Sequence, residues 1–295
     1  MSYENEEGYL KLLKDTLENG DYKKTRNGYV YSSFGNLIKF DISTSFPLLT
    51  TKKVFLRGII EELLWFLRGS TNSKDLEDKG INIWRGNSTR EYLDNNGFTN
   101  YEEGELGPIY GWQWRNFNGD YKNNLKNGTD QLKYVITELL KPDNSRRAIL
   151  TSWNPEQLTE QALPPCHILY NFYKDKNGLS CMINMRSSDL FLGLPFNIAS
   201  SSLLTYIIGY ILNIPVSKIA LSLTDAHIYE EHIEGINIQL QREIYKFPKL
   251  IIKKNKTFDN FDDLDIIMKW IEDLKYEDFE LIDYIYNDTI KAPMK

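Results

Sequence analysis

The chain has 295 residues, of which 41% are hydrophobic, 13% aromatic and 26% charged, an ordinary globular balance that excludes disordered, collagenous and disulfide-stapled chains. Lys and Arg total 35 against 41 Asp and Glu, and this formal charge of −6 disfavours nucleic acid as a partner while allowing a small anion held by a few arginines. Two cysteines, Cys166 and Cys181, and three histidines are too few for a zinc set or a disulfide framework, so no metal is expected.

Taken in chain order, residues 5–18 set Tyr9, Leu10, Leu12, Leu13 and Leu17 at helical spacing and stop at Asn19-Gly20, a C-terminal cap signal. The opening MSYENEEGYLKLLKD is charged and lacks the apolar run of a signal peptide. Residues 29–41 read as a strand with a bulge at Gly35, and 54–68 as a helix ending before Gly69. The Asn/Gly-rich stretch 71–130 reads as loop with a short helix near 73–79, followed by a helix at 130–141. Strands are expected at 147–153, 167–173 and 179–187, a helix at 196–213, a strand near 219–224, a helix at 226–240 and a strand at 248–253. The acidic segment 260–280 has a helical pattern, and 260–276 reads as a surface insertion.

Residues 196–214, FNIASSSLLTYIIGYILNI, are uncharged over about one bilayer span. Their hydroxyls and amides, and the bracketing Pro195 and Pro215, point instead to the central helix of a soluble core, with no membrane association. A cytoplasmic, reducing location with two free thiols is expected. With no repeat and no linker, residues 1–295 read as one α+β domain.

The sharpest chemical signal is ALPPCHILYNFYKDKNGLSCMINMRSSD, residues 162–189. KDKNG between two alternating apolar runs predicts a β-hairpin, and a loop at 174–178 sets Cys166 opposite Arg186. A slip of one residue sets Met185 or Ser187 there instead. An ordinary thiol with pKa ~8.5 is only about 3% thiolate at pH 7, and a guanidinium that lowers it to ~7 makes it about half ionised. From these residues alone, Cys166 is either a nucleophile or a buried structural cysteine.

Arg26, Arg146, Arg147 and Arg186 carry forked donors that suit phosphate, although scattered arginines are also ordinary surface. Glu61 and Glu62 interrupt an apolar helix, as an exposed seam or as a buried acid. Asn197 suits the edge of a uracil-like ring or a helix cap, and His227 and Tyr229 suit a sugar hydroxyl or the core. Trp84, Trp112 and Trp114 stack on a planar ligand or fill the core, while His167 and His232 carry no signal beyond core packing.

FPLLTTKKVFLRGIIEELLWFLRGSTN, EGELGPIYGWQWRNF, DNSRRAILTSWNP, ALPPCHILYNFY, LFLGLPFNIAS and DAHIYEEHI together closely resemble the thymidylate synthase family, over about residues 20–255 plus the IKAP near the end. The resemblance implies a single α+β domain, a mixed sheet flanked by helices, and a homodimer formed through the sheet. It implies dUMP as substrate and 5,10-methylenetetrahydrofolate as co-substrate. Cys166 matches the nucleophile that adds to uracil C6. Arg26, Arg186 and Ser187 match phosphate ligands, and Arg146 and Arg147 match arginines that reach the partner subunit's site. Asn197 matches the reader of the uracil edge, and His227 and Tyr229 the groups on the deoxyribose. Glu62 matches the acid acting through water at O4, and Tyr110 the tyrosine that helps remove the C5 proton. Trp84, Asp189, Leu192, Gly193 and Phe196 match positions near the folate, with Asp189 also near the nucleotide.

The chain departs from the family pattern at Met185, where Gln is usual, at Arg85 for Asp, and at Thr224 for Gly. The closing APMK is one residue shorter than the usual end, where the terminal carboxylate helps close the folate site. These departures motivate two alternatives: a dUMP hydroxymethylase of the same family, and a catalytically silent nucleotide-binding relative. Asn197 argues against a cytosine-specific branch, where Asp is expected.

Overall fold

A computed structural model describes residues 2–142, 145–258 and 263–294. In chain order the elements are β1 (Ser2–Glu4), α1 (Asn5–Asn19), β2 (Asp21–Thr25), β3 (Gly28–Asp41), α2 (Leu56–Leu67), α3 (Lys74–Glu77), α4 (Arg90–Asn95), α5 (Tyr110–Asn116), α6 (Gln131–Leu140) and β4 (Ile149–Thr151). They continue with β5 (His167–Asp175), β6 (Gly178–Met185), β7 (Ser188–Asp189), α7 (Gly193–Leu212), β8 (Val216–Tyr229), α8 (Ile233–Gln239), β9 (Lys249–Ile252), α9 (Leu264–Glu272) and β10 (Phe279–Ile282). Unit 1 comprises the chain up to Leu56, Phe172–Asn255 and the chain from Glu277 onward; unit 2 comprises Arg57–Asn171 and Lys256–Tyr276.

In unit 1 the strand order is β1-β3-β8-β6, with β2 also on β3 and β7 also on β8. β3 and β8 are antiparallel while β6 and β7 run parallel to β8, so the expected mixed sheet is present. α7 starts at Gly193, three residues before the expected start, and is buried nearly all round. Two of its hydroxyls bond back within the helix: Ser202 donates to the Ile198 carbonyl and Thr205 to the Ser201 carbonyl, each at 2.8 Å. That is how polar residues sit in an apolar core helix. It is long and apolar enough to cross a membrane, and most of it is buried inside the protein.

Gly20 ends α1 with extended backbone, φ −75°, and its N–H donates to the Thr16 carbonyl. A Cβ at Gly20 would lie 2.4 Å from that oxygen, so close approach, rather than a left-handed cap, calls for glycine.

β8 runs on to Tyr229, which corrects the expected helix over 226–240: only Ile233–Gln239 is α-helical. Along β8 the deepest positions are Ile219, Leu221 and Leu223, then Ala226 and Ile228, so burial changes phase after Leu223. On β3, Phe34 pairs with Asp225 and Asn36 with Leu223, leaving Gly35 and Thr224 out of the ladder with no net register shift. The expected bulge is thus matched in both strands. Gly35 takes the left-handed φ of +74°, and Thr224 is not among the positive-φ residues, so a β-branched side chain fits there.

In unit 2, α2 buries Ile59, Ile60, Leu63, Leu64 and Phe66 and stops at Gly69, φ +72°. β4 pairs antiparallel with β5. α4 and α5 occupy the stretch expected to be loop. α5 has no side-chain cap at Ile109. Its partners are distant: the Gln131 amide donates to the Gln113 carbonyl at 2.7 Å, and the Trp114 indole to Ser152 Oγ at 2.8 Å. Residues 260–262 of the expected insertion lie outside the described residues. The described remainder carries α9, which buries Ile267, Met268, Trp270 and Ile271. The helical pattern expected to 280 ends earlier, because β10 pairs with β9 in unit 1.

The hairpin turn between β5 and β6 is shorter than expected, with only Lys176 and Asn177 between the strands. Cys166 lies one residue before β5 and Arg186 one residue after β6. Pro164 and Pro165, which lack a donor N–H, precede Cys166 and keep the ladder from extending through them.

Candidate active site

In unit 1 a cavity of about 280 Å³ is lined by Arg26, Arg186, Ser187, Asp225, His227 and Tyr229, among others. Arg26 comes from the β2–β3 turn, and Arg186 and Ser187 from the link between β6 and β7. His227 and Tyr229 alternate on β8, and the matched bulge turns them to the side opposite Ala226 and Ile228. Two guanidinium groups and a hydroxyl in a small cavity suit a phosphate monoester, and the neighbouring imidazole and phenol suit a hydroxyl.

Asp189 sits on β7, its Oδ1 accepting the N–H groups of Phe191 at 2.9 Å and Leu192 at 3.2 Å. Burial works to raise this carboxyl, but His232 beside it and the two N–H donors hold it below the usual carboxylate range. His232 Nε2 meets the Pro293 carbonyl at 2.8 Å, which ties the C-terminal segment to the same cluster. Lys52 donates to the Phe191 carbonyl and lies 3.6 Å over its ring; burial pushes the amine down to about 7. Leu192, Gly193 and Phe196 remain partly exposed where α7 begins. Leu192 occupies the cap position and makes no side-chain cap bond. Asn197 lies beyond the first turn, so it is not the helix cap, and its amide is partly exposed.

In unit 2 the half-buried Cys166 donates its main-chain N–H to the Tyr110 hydroxyl at 2.7 Å. The Tyr110 ring stacks on His167 with centroids 4.2 Å apart and planes at 25°. Burial pushes the Tyr110 hydroxyl well above the usual tyrosine range and His167 down to about 3, so both are uncharged at neutral pH. Glu62 accepts from the Trp84 indole at 2.8 Å, and the protein packed around it pushes its carboxyl up to about 7. Glu61, its neighbour, is instead a buried acid paired with Lys79 at 2.5 Å. Trp112 and Trp114 are core residues. Arg146 and Arg147 are exposed.

A family model described as thymidylate synthase matches residues 7–295. The chain belongs to the thymidylate synthase family. Its match runs through both units. The chain is 44% identical to the thymidylate synthase of Homo sapiens, covering 97% of this chain and 89% of that protein. It is 45% identical to the bifunctional dihydrofolate reductase-thymidylate synthases of Paramecium tetraurelia and Plasmodium berghei, covering 98% and 97% of this chain. It spans 61% and 48% of the length of those two bifunctional proteins.

The departures from the thymidylate synthase pattern now have locations. Met185 is a core residue paired with Leu223 on β8, and it does not line the cavity. Arg85 is largely solvated and lies 3.9 Å from Glu77, an acid that offsets its charge. The end of the chain at 295 lies outside the described residues. Sequence reading missed two groups in the site: His167, which stacks under Tyr110, and Asp225, which lines the cavity. Reading 219–229 as one alternating strand would have revealed Asp225, because it puts 225, 227 and 229 on one face. Among the described residues, no cluster of His, Cys, Asp or Glu could hold a metal ion.

Proposed function

We propose that the chain catalyses reductive methylation of dUMP to dTMP, with 5,10-methylenetetrahydrofolate leaving as dihydrofolate. The observation that carries this reading is the cavity lined by Arg26, Arg186, Ser187, His227 and Tyr229, the set that the family uses for a deoxynucleoside monophosphate. Arg26, Arg186 and Ser187 hold the phosphate, His227 and Tyr229 the sugar hydroxyl, and the Asn197 amide the uracil edge. The Cys166 thiolate adds to C6, and the electron pair moves through C5 to O4 as an enolate. Glu62, poised near neutrality, manages the proton at O4 through water. C5 then bonds the methylene carbon of the folate as its N10–carbon bond opens, and loss of the C5 proton, with help from Tyr110, breaks the remaining bond to N5 and leaves an exocyclic methylene beside tetrahydrofolate. A hydride from tetrahydrofolate completes the methyl group as the thiolate departs. Trp84, Asp189, Leu192, Gly193 and Phe196 border the folate.

We also assign a homodimer through the unit 1 sheet, a reading supported by exposed apolar side chains on its strands: Phe34 at 86%, Tyr173 at 60% and Met182 at 41% exposure. Arg146 and Arg147 then reach the partner's phosphate, and the enzyme works in the cytoplasm. The test is incubation with dUMP and methylenetetrahydrofolate while following dihydrofolate absorbance. Hydroxymethyl-dUMP without dihydrofolate would make the chain a hydroxymethylase. Absence of a covalent 5-fluoro-dUMP–folate adduct at Cys166 would make it a silent binder.

A further inference from the structure

A carboxylate lining a cavity for an anion is unexpected, because it repels the ligand. Asp225 is such a group. Its surroundings account for it. Lys23 on β2 meets Asp225 Oδ2 at 2.8 Å, and Ser32 on β3 donates to Oδ1 at 2.9 Å. His227 Nδ1 lies 3.3 Å from Oδ1 and 3.4 Å from the Asp225 carbonyl oxygen. His227, Lys23 and Ser32 together hold this carboxyl well below the usual range.

We propose that Asp225 is a positioning residue: backed by Lys23 and Ser32, it fixes His227 in the tautomer whose Nε2 accepts a hydrogen bond from a sugar hydroxyl of the bound nucleotide. Both polar atoms beside Nδ1 are acceptors, so Nδ1 carries the hydrogen and Nε2 of the neutral ring keeps its lone pair. The backbone fixes the geometry. Ser32 pairs with His227 across β3 and β8, and Asp189 pairs with His227 across β7 and β8. The Tyr229 ring meets the imidazole edge-on at 5.3 Å and 90°, which limits its rotation. Lys23 cancels the carboxylate's charge, so orientation is gained without repelling phosphate. The ligand half of this assignment rests on the nucleotide reading above; the tautomer half does not.

Nitrogen-15 spectra of the imidazole rings report the tautomer directly in the ligand-free protein. Wild type is expected to show His227 protonated at Nδ1 and Asp225→Ala to shift it toward Nε2–H, while Asp225→Asn, which keeps a side-chain carbonyl oxygen, largely restores the Nδ1–H form. Binding is read with dUMP and 2′,3′-dideoxyuridine monophosphate. Asp225→Ala should weaken dUMP about tenfold relative to the dideoxy compound, the value of one hydrogen bond to a buried partner, while the freed Lys23 charge shifts both nucleotides alike. Lys23→Met should weaken both nucleotides alike. An Nε2–H tautomer in wild type, or unchanged tautomer and unchanged dUMP preference in Asp225→Ala, overturns the proposal. Failure of wild type to bind dUMP overturns the nucleotide reading, with the spectra still deciding the tautomer.

Discussion

The Tyr110 hydroxyl accepts the main-chain N–H of Cys166 at 2.7 Å, so the residue matched to C5 proton removal also anchors the residue matched to attack at C6. The two roles are separable. Tyr110→Phe should lower kcat by about 10²–10⁴-fold, the range for loss of a proton-transfer group, yet still form the 5-fluoro-dUMP adduct, which needs no C5 proton. Cys166→Ser should bind dUMP and form no adduct. Adduct mass spectrometry beside steady-state rates checks both. Near-normal turnover in either variant would remove that assignment.

Glu62 gives a pH signature. Its carboxyl, ordinarily near 4.5, is pushed up to about 7 by burial, so the folded chain holds a proton that the unfolded chain has lost between those values. Stability on this account falls as pH rises from 4.5 to 7, by up to about 3 kcal/mol. Glu62→Gln, which stays neutral, should therefore gain on wild type in urea unfolding at pH 8 and match it near pH 4. It should also lose the kcat inflection near 7 along with most turnover. Parallel stability curves for the two proteins from pH 4 to pH 8 would show that Glu62 is not perturbed.

At Gly35 an added Cβ meets nothing within 4 Å, so Gly35→Ala costs backbone strain alone, about 1–2 kcal/mol for a left-handed residue. Because the same kink aims His227 and Tyr229, dUMP binding should weaken along with stability. Calorimetry for both quantities tests the link. A stability loss with unchanged binding would mean that the kink does not set the cavity.

Arg147 is exposed in the single chain, and the proposed dimer gives it a role in the partner's site. Arg147→Ala and Cys166→Ala should each be nearly inactive alone. Mixed dimers should recover activity, because one of their two sites then has both an intact thiol and an intact arginine. No recovery after subunit exchange would confine Arg147 to its own subunit.

Much of this site was legible in the residues, unevenly and for physical reasons. α2 and α7 were readable because long apolar runs make helices, and Gly69 gave α2 a plain end. α5 was not, since its partners lie far off in sequence at Ser152 and Gln131 and no local cap marks its start. The end of β8 resembles a helix in sequence because Ala226, His227, Ile228 and Tyr229 alternate too briefly to betray a strand on their own. The hairpin loop looked five residues long because Lys174 and Asp175 resemble turn residues, yet they continue β5. Family resemblance named Cys166, Glu62 and Tyr110; only coordinates revealed His167 beneath Tyr110 and Asp225 behind His227.

The kink at Gly35 and Thr224 also bears on how this chain tolerates changes in length. Deleting either residue alone would shift one strand past the other by a single place and send Asp225, His227 and Tyr229 toward the interior. Removing both would keep the pairing but restore plain alternation, with the same loss of the cavity. Insertions and deletions in these two strands are thus coupled over nearly two hundred residues of intervening chain, and neither strand can drift in length without its counterpart.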